Sequence, residues 1–271
     1  MDNLFDLTGK VALVTGAGGL LGPKHAEALL EYGANVVLTD WHEDKVQKVS
    51  AELNEKYGEG RTSYYCMDVT DKSMVQSVAD KLDKIDILIN NAAKDPKPKK
   101  GDALSPVSRF EVMSETFWKE GIDAAMNGTF LCSQVFSNKM LENGGGVILN
   151  IASDLGIIAP DQRIYRQEGL SEDMQNVKPI TYSAAKWAII GMTKYLAVYF
   201  AKRGIRVNCL SPTGVENGYP EDFVKKLTNI IPIGRMADRN EYKGAVVFMC
   251  SDASSYMTGE NVVMDGGKTV W

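Results

Sequence analysis

The stretch that decides the fold is KVALVTGAGGLLGPKHAEALL, residues 10–30. An apolar run, KVALV, leads into the glycine-rich TGAGGLLG (15–22), and an Ala- and Leu-rich segment follows. The order reads as strand, turn, helix. A turn of this composition lets backbone N–H groups and a helix N-terminus close on a phosphate. Its glycines are Gly16, Gly18, Gly19 and Gly22, and G-x-G-x-x-G would need glycine where Leu21 stands.

Working outward, the strand pattern repeats. VALVT (11–15), NVVLTD (35–40), TSYYCMD (62–68), IDILINNAA (85–93), GVILNIAS (146–153), IRVNCLS (205–211) and NVVMDGG (261–267) are short β-rich apolar runs. Polar–apolar segments of helical length separate them. Near-continuous Val/Ile/Leu runs between helices predict a parallel sheet covered on both faces. Seven of them predict a doubly wound, Rossmann-type α/β fold. No repeat, linker or shift in composition divides the chain, so residues 1–271 read as a single domain. Two long connections, 94–113 and 154–179, follow strand C-termini, where open α/β sheets bind ligands.

Composition narrows the function. The net charge of −5 argues against a nucleic acid or an anionic membrane surface as partner. MDNLFDLTGK carries two acids and lacks the apolar core of a signal peptide, and no run approaches a membrane span. A cytoplasmic location is therefore expected. Cys66, Cys132, Cys209 and Cys250 are scattered without a C-x-x-C, which reads as reduced, mostly buried thiols. His25 and His42, the only histidines, lie in no ligand cluster, so no metal site is expected.

Asp40 ends NVVLTD, 24 positions after Gly16. A carboxylate there accepts hydrogen bonds from the adenosine ribose and repels a 2′-phosphate. Trp41 and His42 supply no Arg or Lys to offset it, and Lys24 reads as facing away. The expectation is NAD(H) in preference to NADP(H). An N-cap is the structural alternative for Asp40, and the spacing favours the cofactor. Farther along, TYSAAKWAIIGMTK sets Tyr182 and Lys186 four apart, on one helix face. A phenol is a poor base at neutral pH, and a neighbouring ammonium favours the phenolate. Y-x-x-x-K alone is common by chance. Ser153, at the end of GVILNIAS, raises its weight, because a hydroxyl, a phenol and an ammonium can then converge beside a nicotinamide ring.

These residues together resemble the short-chain dehydrogenase/reductase family, in its single-domain branch, over essentially the whole chain. The match is carried by TGAGGLLG, Asp40, MDVT (67–70), NNAA (90–93), Asn127 in IDAAMNGTF, Ser153, YSAAK (182–186), NCLSP (208–212) and MDGG (264–267). The resemblance implies Tyr182 as the catalytic acid/base, with Lys186 lowering its pKa and gripping the nicotinamide ribose. It implies Ser153 at the substrate oxygen and Asn127 holding a water that links Lys186 to solvent. Cofactor contacts are implied at Gly16, Gly19, Leu20, Leu21 and Gly22 of the turn, and at Asp68 and Val69 by the adenine. Asn91 and Ala92 are implied at the adenosine-side ribose, and Pro212, Val215 and Asn217 on the nicotinamide side. A homotetramer or homodimer packed through helices around 114–140 and 180–202 is implied as well.

The chain also departs from the pattern. Through Gly16, Gly19 and Gly22 the turn reads T-G-x-x-G-x-x-G, which belongs to the family's longer branch, acting largely on nucleotide sugars. The single-domain form would place its middle glycine at Leu20. Thr213 stands where the family has glycine, and Asn217 where it has threonine. Ser153 and Tyr182 are 29 positions apart, about twice the usual spacing. The excess, DLGIIAPDQRIYRQEGLSEDMQNVKPIT (154–181), reads as an elaborated substrate wall. Its Arg163 and Arg166, with KDPKPKK (94–100), suggest an anionic substrate; solvated surface charge is the alternative. A weaker resemblance, to oxidoreductases of bacterial flagellin-glycan and surface-polysaccharide pathways, implies an anionic, sialic-acid-like or nucleotide-linked sugar.

The leading expectation is an NAD(H)-dependent oxidoreductase moving a hydride between nicotinamide and a secondary alcohol or ketone of a polar, anionic, sugar-like substrate. An NAD-retaining epimerase or dehydratase is the first alternative, favoured by the glycine pattern. A non-catalytic dinucleotide sensor is the second, opposed by the joint presence of Asn127, Ser153, Tyr182 and Lys186.

Overall fold

Successive residues of a strand point to opposite faces of a sheet, and here they feed two different cores. Ala12, Val14, Val36, Leu38, Ile87, Ile89 and Leu149 join one cluster. Leu13, Val37, Leu88 and Ile148, lying between them, join the other. The first cluster is covered by helices α1 (Gly22–Glu31), α2 (Glu43–Tyr57) and α8 (Lys243–Cys250). The second is covered by α3 (Lys72–Asp80), α5 (Gly128–Glu142) and α6 (Ile180–Phe200). Strands buried on both sides are why the sequence runs are apolar without alternation.

The computed structural model describes residues 3–94 and 108–271. Its strands are β1 (Val11–Thr15), β2 (Asn35–Asp40), β3 (Thr62–Cys66), β4 (Ile87–Asn90), β5 (Gly146–Ile151), β6 (Ile205–Pro212) and β7 (Asn261–Met264). All pair in parallel, in the order β3-β2-β1-β4-β5-β6-β7. This is the expected single, doubly wound Rossmann-type domain. All seven runs are strands, and four of them end before the run does. Among the residues left over, Asp68, Asn91, Ser153 and Asp265 lie in the loops beyond the strand ends.

The strand order reverses between β1 and β4, and a crevice opens there at the C-terminal edge. A buried polar ladder crosses beneath it. Asn90 Nδ2 donates to Ser133 Oγ (3.0 Å) and to Asn150 Oδ1 (2.9 Å), and Asn150 Nδ2 donates to Thr193 Oγ1 (2.8 Å). It bolts α5 and α6 to β4 and β5.

The two long connections fare differently. Most of 94–113, including KDPKPKK beyond Lys94, lies outside the described residues. The 154–179 connection is built from 3₁₀ turns at Asp154–Gly156, Gln162–Tyr165 and Glu172–Met174. Its side-chain amides tie it together: Gln162 bonds both backbone groups of Lys178, and Gln175 bonds Gln167 and Leu170. Helix α7 (Glu221–Thr228) packs against this connection. Between α4 (Glu115–Ile122) and α5 the chain makes a π turn, Asp123–Asn127. Among the described residues no helix is long and apolar enough to cross a membrane.

Candidate active site

Close contacts explain the glycine turn. Gly16 has φ +64°, and a Cβ there would stand 2.8 Å from Ala92 Cα. A Cβ on Gly22 would come within 2.4 Å of the Gly16 carbonyl oxygen, and one on Gly18 within 2.8 Å of Lys45 Cβ. At Gly19 the nearest atom would be 3.1 Å away, at ordinary φ. A side chain is therefore excluded most firmly at Gly16, Gly18 and Gly22, and is crowded at Gly19 by a backbone oxygen. Thr15 Oγ1 accepts from the amides of Asn91 and Ala92, and Asn91 Nδ2 donates to the carbonyls of Thr15 and Gly16. Helix α1 starts here with no side-chain cap at Leu21, which leaves its N-terminal end to an outside anion.

A cavity of about 780 Å³ runs from this turn across the strand ends. Asp40, buried, lines one end of it, its Oδ2 accepting from Gly18 N (3.0 Å) and its Oδ1 from His42 N (3.0 Å). Lys24 is turned to Glu27, as expected. Lys45, which the sequence reading passed over, lines the cavity near Asp40. Asp68 is fixed by the amide and hydroxyl of Thr70, and Val69 packs on Gly128. Leu20, Leu21, Asn91, Ala92, Pro212 and Val215 also line the wall. These features fit a dinucleotide: a cradle that a Cβ would fill, an uncapped helix start and a buried carboxylate at the end of β2, held against the turn.

Ser153, Tyr182 and Lys186 line the same cavity. Lys186 is buried, its Nζ donating to the Ile151 carbonyl at 2.7 Å and lying 5.7 Å from the Tyr182 ring centroid. A second ammonium, that of Lys178, stands 4.0 Å from the same centroid. Ser153 Oγ donates to Asp154 Oδ1 (2.7 Å), and Asp154 Oδ2 accepts from Thr213 Oγ1 and from Lys268 Nζ. Beyond them Tyr165, Tyr219, Phe223, Leu227 and Met236 form a largely apolar far wall.

Gly22, at the start of α1, is off the cavity wall, and four further expected site residues are not brought here. Asn127 is exposed, is absent from the cavity wall and donates to Asp123 Oδ1 at 2.6 Å. The inward positions of its helix are Gly121, Ala125, Gly128, Thr129 and Cys132, and Ala125 packs with Ala152 and Ala185. Asn217 is exposed and accepts from Arg239 Nη2. Arg163 pairs with Asp161 at 2.7 Å, holding that carboxyl below its usual range, and Arg166 pairs with Glu172. Both arginines lie off the cavity wall, committed to acids of their own loop.

The comparisons with known proteins bear on this site. A short chain dehydrogenase model matches residues 10–165, and an enoyl-(acyl carrier protein) reductase model matches 169–269. An NAD-dependent glycerol dehydrogenase of Listeria innocua is 34% identical, over 99% of this chain and 97% of its own. A D-threitol dehydrogenase of Mycolicibacterium smegmatis is also 34% identical, over 98% and 95%. The crystal structure of a gluconate 5-dehydrogenase from Burkholderia cenocepacia, in complex with NADP and tartrate, superposes with a TM-score of 0.84 at 26% identity, covering 99% of this chain and 98% of that one. The likeness to surface-polysaccharide oxidoreductases gains no support from them. Matches running from residue 10 to residue 269, onto alcohol-oxidising enzymes of nearly the same length, decide the matter: the chain belongs to the short-chain dehydrogenases and is an oxidoreductase.

Proposed function

We propose that the protein moves a hydride between NAD(H) and a secondary alcohol or ketone on a polyhydroxylated substrate. One observation carries this reading: Ser153, Tyr182 and Lys186 share a cavity whose other end is lined by the buried Asp40. The bound nicotinamide supplies the hydride acceptor or donor. Tyr182 takes the alcohol proton during oxidation and returns it during reduction. The ammonium groups of Lys186 and Lys178 favour its phenolate form. Ser153 stabilises the substrate oxygen as charge develops there.

Asp40 supports NAD over NADP: a carboxylate held at the end of β2 by the amides of Gly18 and His42 would repel a 2′-phosphate. Lys45 is the opposing charge in that balance. The glycerol- and threitol-active relatives support a polyol as substrate. A polyhydroxy acid is the second reading, favoured by Lys178 over the Tyr182 ring. The arginines no longer argue for it. The epimerase alternative keeps only the T-G-x-x-G-x-x-G pattern of Gly16, Gly19 and Gly22 in its support.

The test is an assay of the purified protein with NAD or NADP against sugar alcohols and aldonic acids, followed by cofactor absorbance. Turnover is expected with NAD and polyols. Tyr182→Phe should lower kcat by about 10²–10⁴-fold while NAD affinity holds. A Tyr182→Phe enzyme near the wild-type rate refutes the mechanism, and equal turnover with NADP refutes the cofactor reading.

A further inference from the structure

The carboxylate of Asp154 is saturated. Oδ1 accepts from Ser153 Oγ (2.7 Å) and Leu155 N (2.8 Å), and Oδ2 from Thr213 Oγ1 (2.8 Å) and Lys268 Nζ (2.7 Å). Lys268 and Asp154 are 7% and 5% exposed in their side chains, so this is a buried ion pair. Buried charge is tolerated only when paired and hydrogen-bonded, and here four donors from three segments of the chain do that work. Thr213, one of the departures from the family pattern, thereby has a physical role. The pair is also part of the cavity wall.

The consequence falls on Ser153. Its hydroxyl carries one proton, which is directed at Asp154, while Leu155 N donates to its oxygen at 3.2 Å. We propose that Asp154, neutralised by Lys268 and braced by Thr213, is a positioning residue that acts through Ser153. It fixes the serine oxygen in place and serves as the resting acceptor for its hydrogen bond. That bond is redirected to the substrate oxygen as negative charge grows there; the proton stays on the serine throughout. The inference rests on the reading that Ser153 meets the substrate oxygen.

The test is a coupling experiment. Asp154→Ala combined with Lys268→Met removes both charges, so that neither is left buried alone. kcat should fall by about 10- to 100-fold, with the Kd for NAD, read by fluorescence titration, within about twofold of wild type. Ser153→Ala should also lower kcat, and adding it to the paired variant should lower kcat no further, because both act through one hydroxyl. Thr213→Val, which keeps the ion pair, serves if the paired variant does not fold: its loss of kcat should likewise disappear in the Ser153→Ala background. Losses that multiply independently, or a paired variant at the wild-type rate, overturn the proposal while leaving the role of Ser153 intact. Ser153→Ala at the wild-type rate overturns that role, and the proposal with it.

Discussion

His25 shows how much one side chain can reveal. It is fully enclosed in α1, and neither ring nitrogen has a hydrogen-bond partner. Burial disfavours the charged imidazole and pushes its pKa down to about 4. The folded protein thus refuses a proton that the unfolded chain accepts from about pH 6.5 downward. Stability from this group is complete above that pH and is lost as pH falls toward 4, by about 2 kcal/mol between pH 7 and 5. Urea unfolding of wild type and His25→Leu at the two pH values should show that component only in the wild type. Equal pH slopes would contradict it. Asn127 makes the opposite point. Facing solvent and bonded to Asp123, it should tolerate alanine with kcat within about twofold of wild type in a steady-state assay. A large loss would place it in the reaction after all. Asn127 was expected in the site because the family resemblance, carried in part by IDAAMNGTF, implied it there. The π turn at Asp123–Asn127 interrupts the helical phase, and a regular spacing count cannot see such a turn.

The elements were legible wherever their cause was local. Seven apolar runs became seven strands; Asp40, Asp68 and Ser153 were readable as ends of runs, and Asn91 lies near the end of another. The acids that capture Arg163 and Arg166 lie only two and six positions away, and that pairing was the missed signal. Asp154 and Lys268 are 114 positions apart, so nothing short of the fold joins them. The glycine turn yields a prediction at this scale. Gly22→Ala would drive a methyl to within 2.4 Å of the Gly16 carbonyl oxygen, whereas Gly19→Ala meets the same oxygen at 3.1 Å, a tight contact that a small shift can relieve. NAD affinity should fall at least about tenfold for the first and change little for the second, as isothermal titration would measure. Equal losses at both positions would support the T-G-x-x-G-x-x-G reading.

At the scale of the molecule, α6 leaves Trp187, Tyr195, Val198 and Tyr199 exposed, with Tyr195 stacked on Tyr199. An exposed apolar helix face of this kind suits a second copy of the chain, in keeping with the homodimer or homotetramer that the family resemblance implies. Val198, 82% exposed, should disrupt such packing when replaced by arginine. Light scattering at micromolar concentration should then show a smaller species than the wild type; identical masses would move the interface elsewhere. The strand order has a consequence for the birth of the structure as well. β1 pairs with β2 through near neighbours in sequence, but its other edge waits for β4, with Ala12 opposite Ile87. That long-range closure is slow in a parallel sheet, and until it happens β1 offers an open edge to any other chain. The crevice lies at this same junction, so it does not exist until the sheet closes. In a refolding experiment the ability to bind NAD should therefore return with the slowest phase, and added cofactor should not accelerate it.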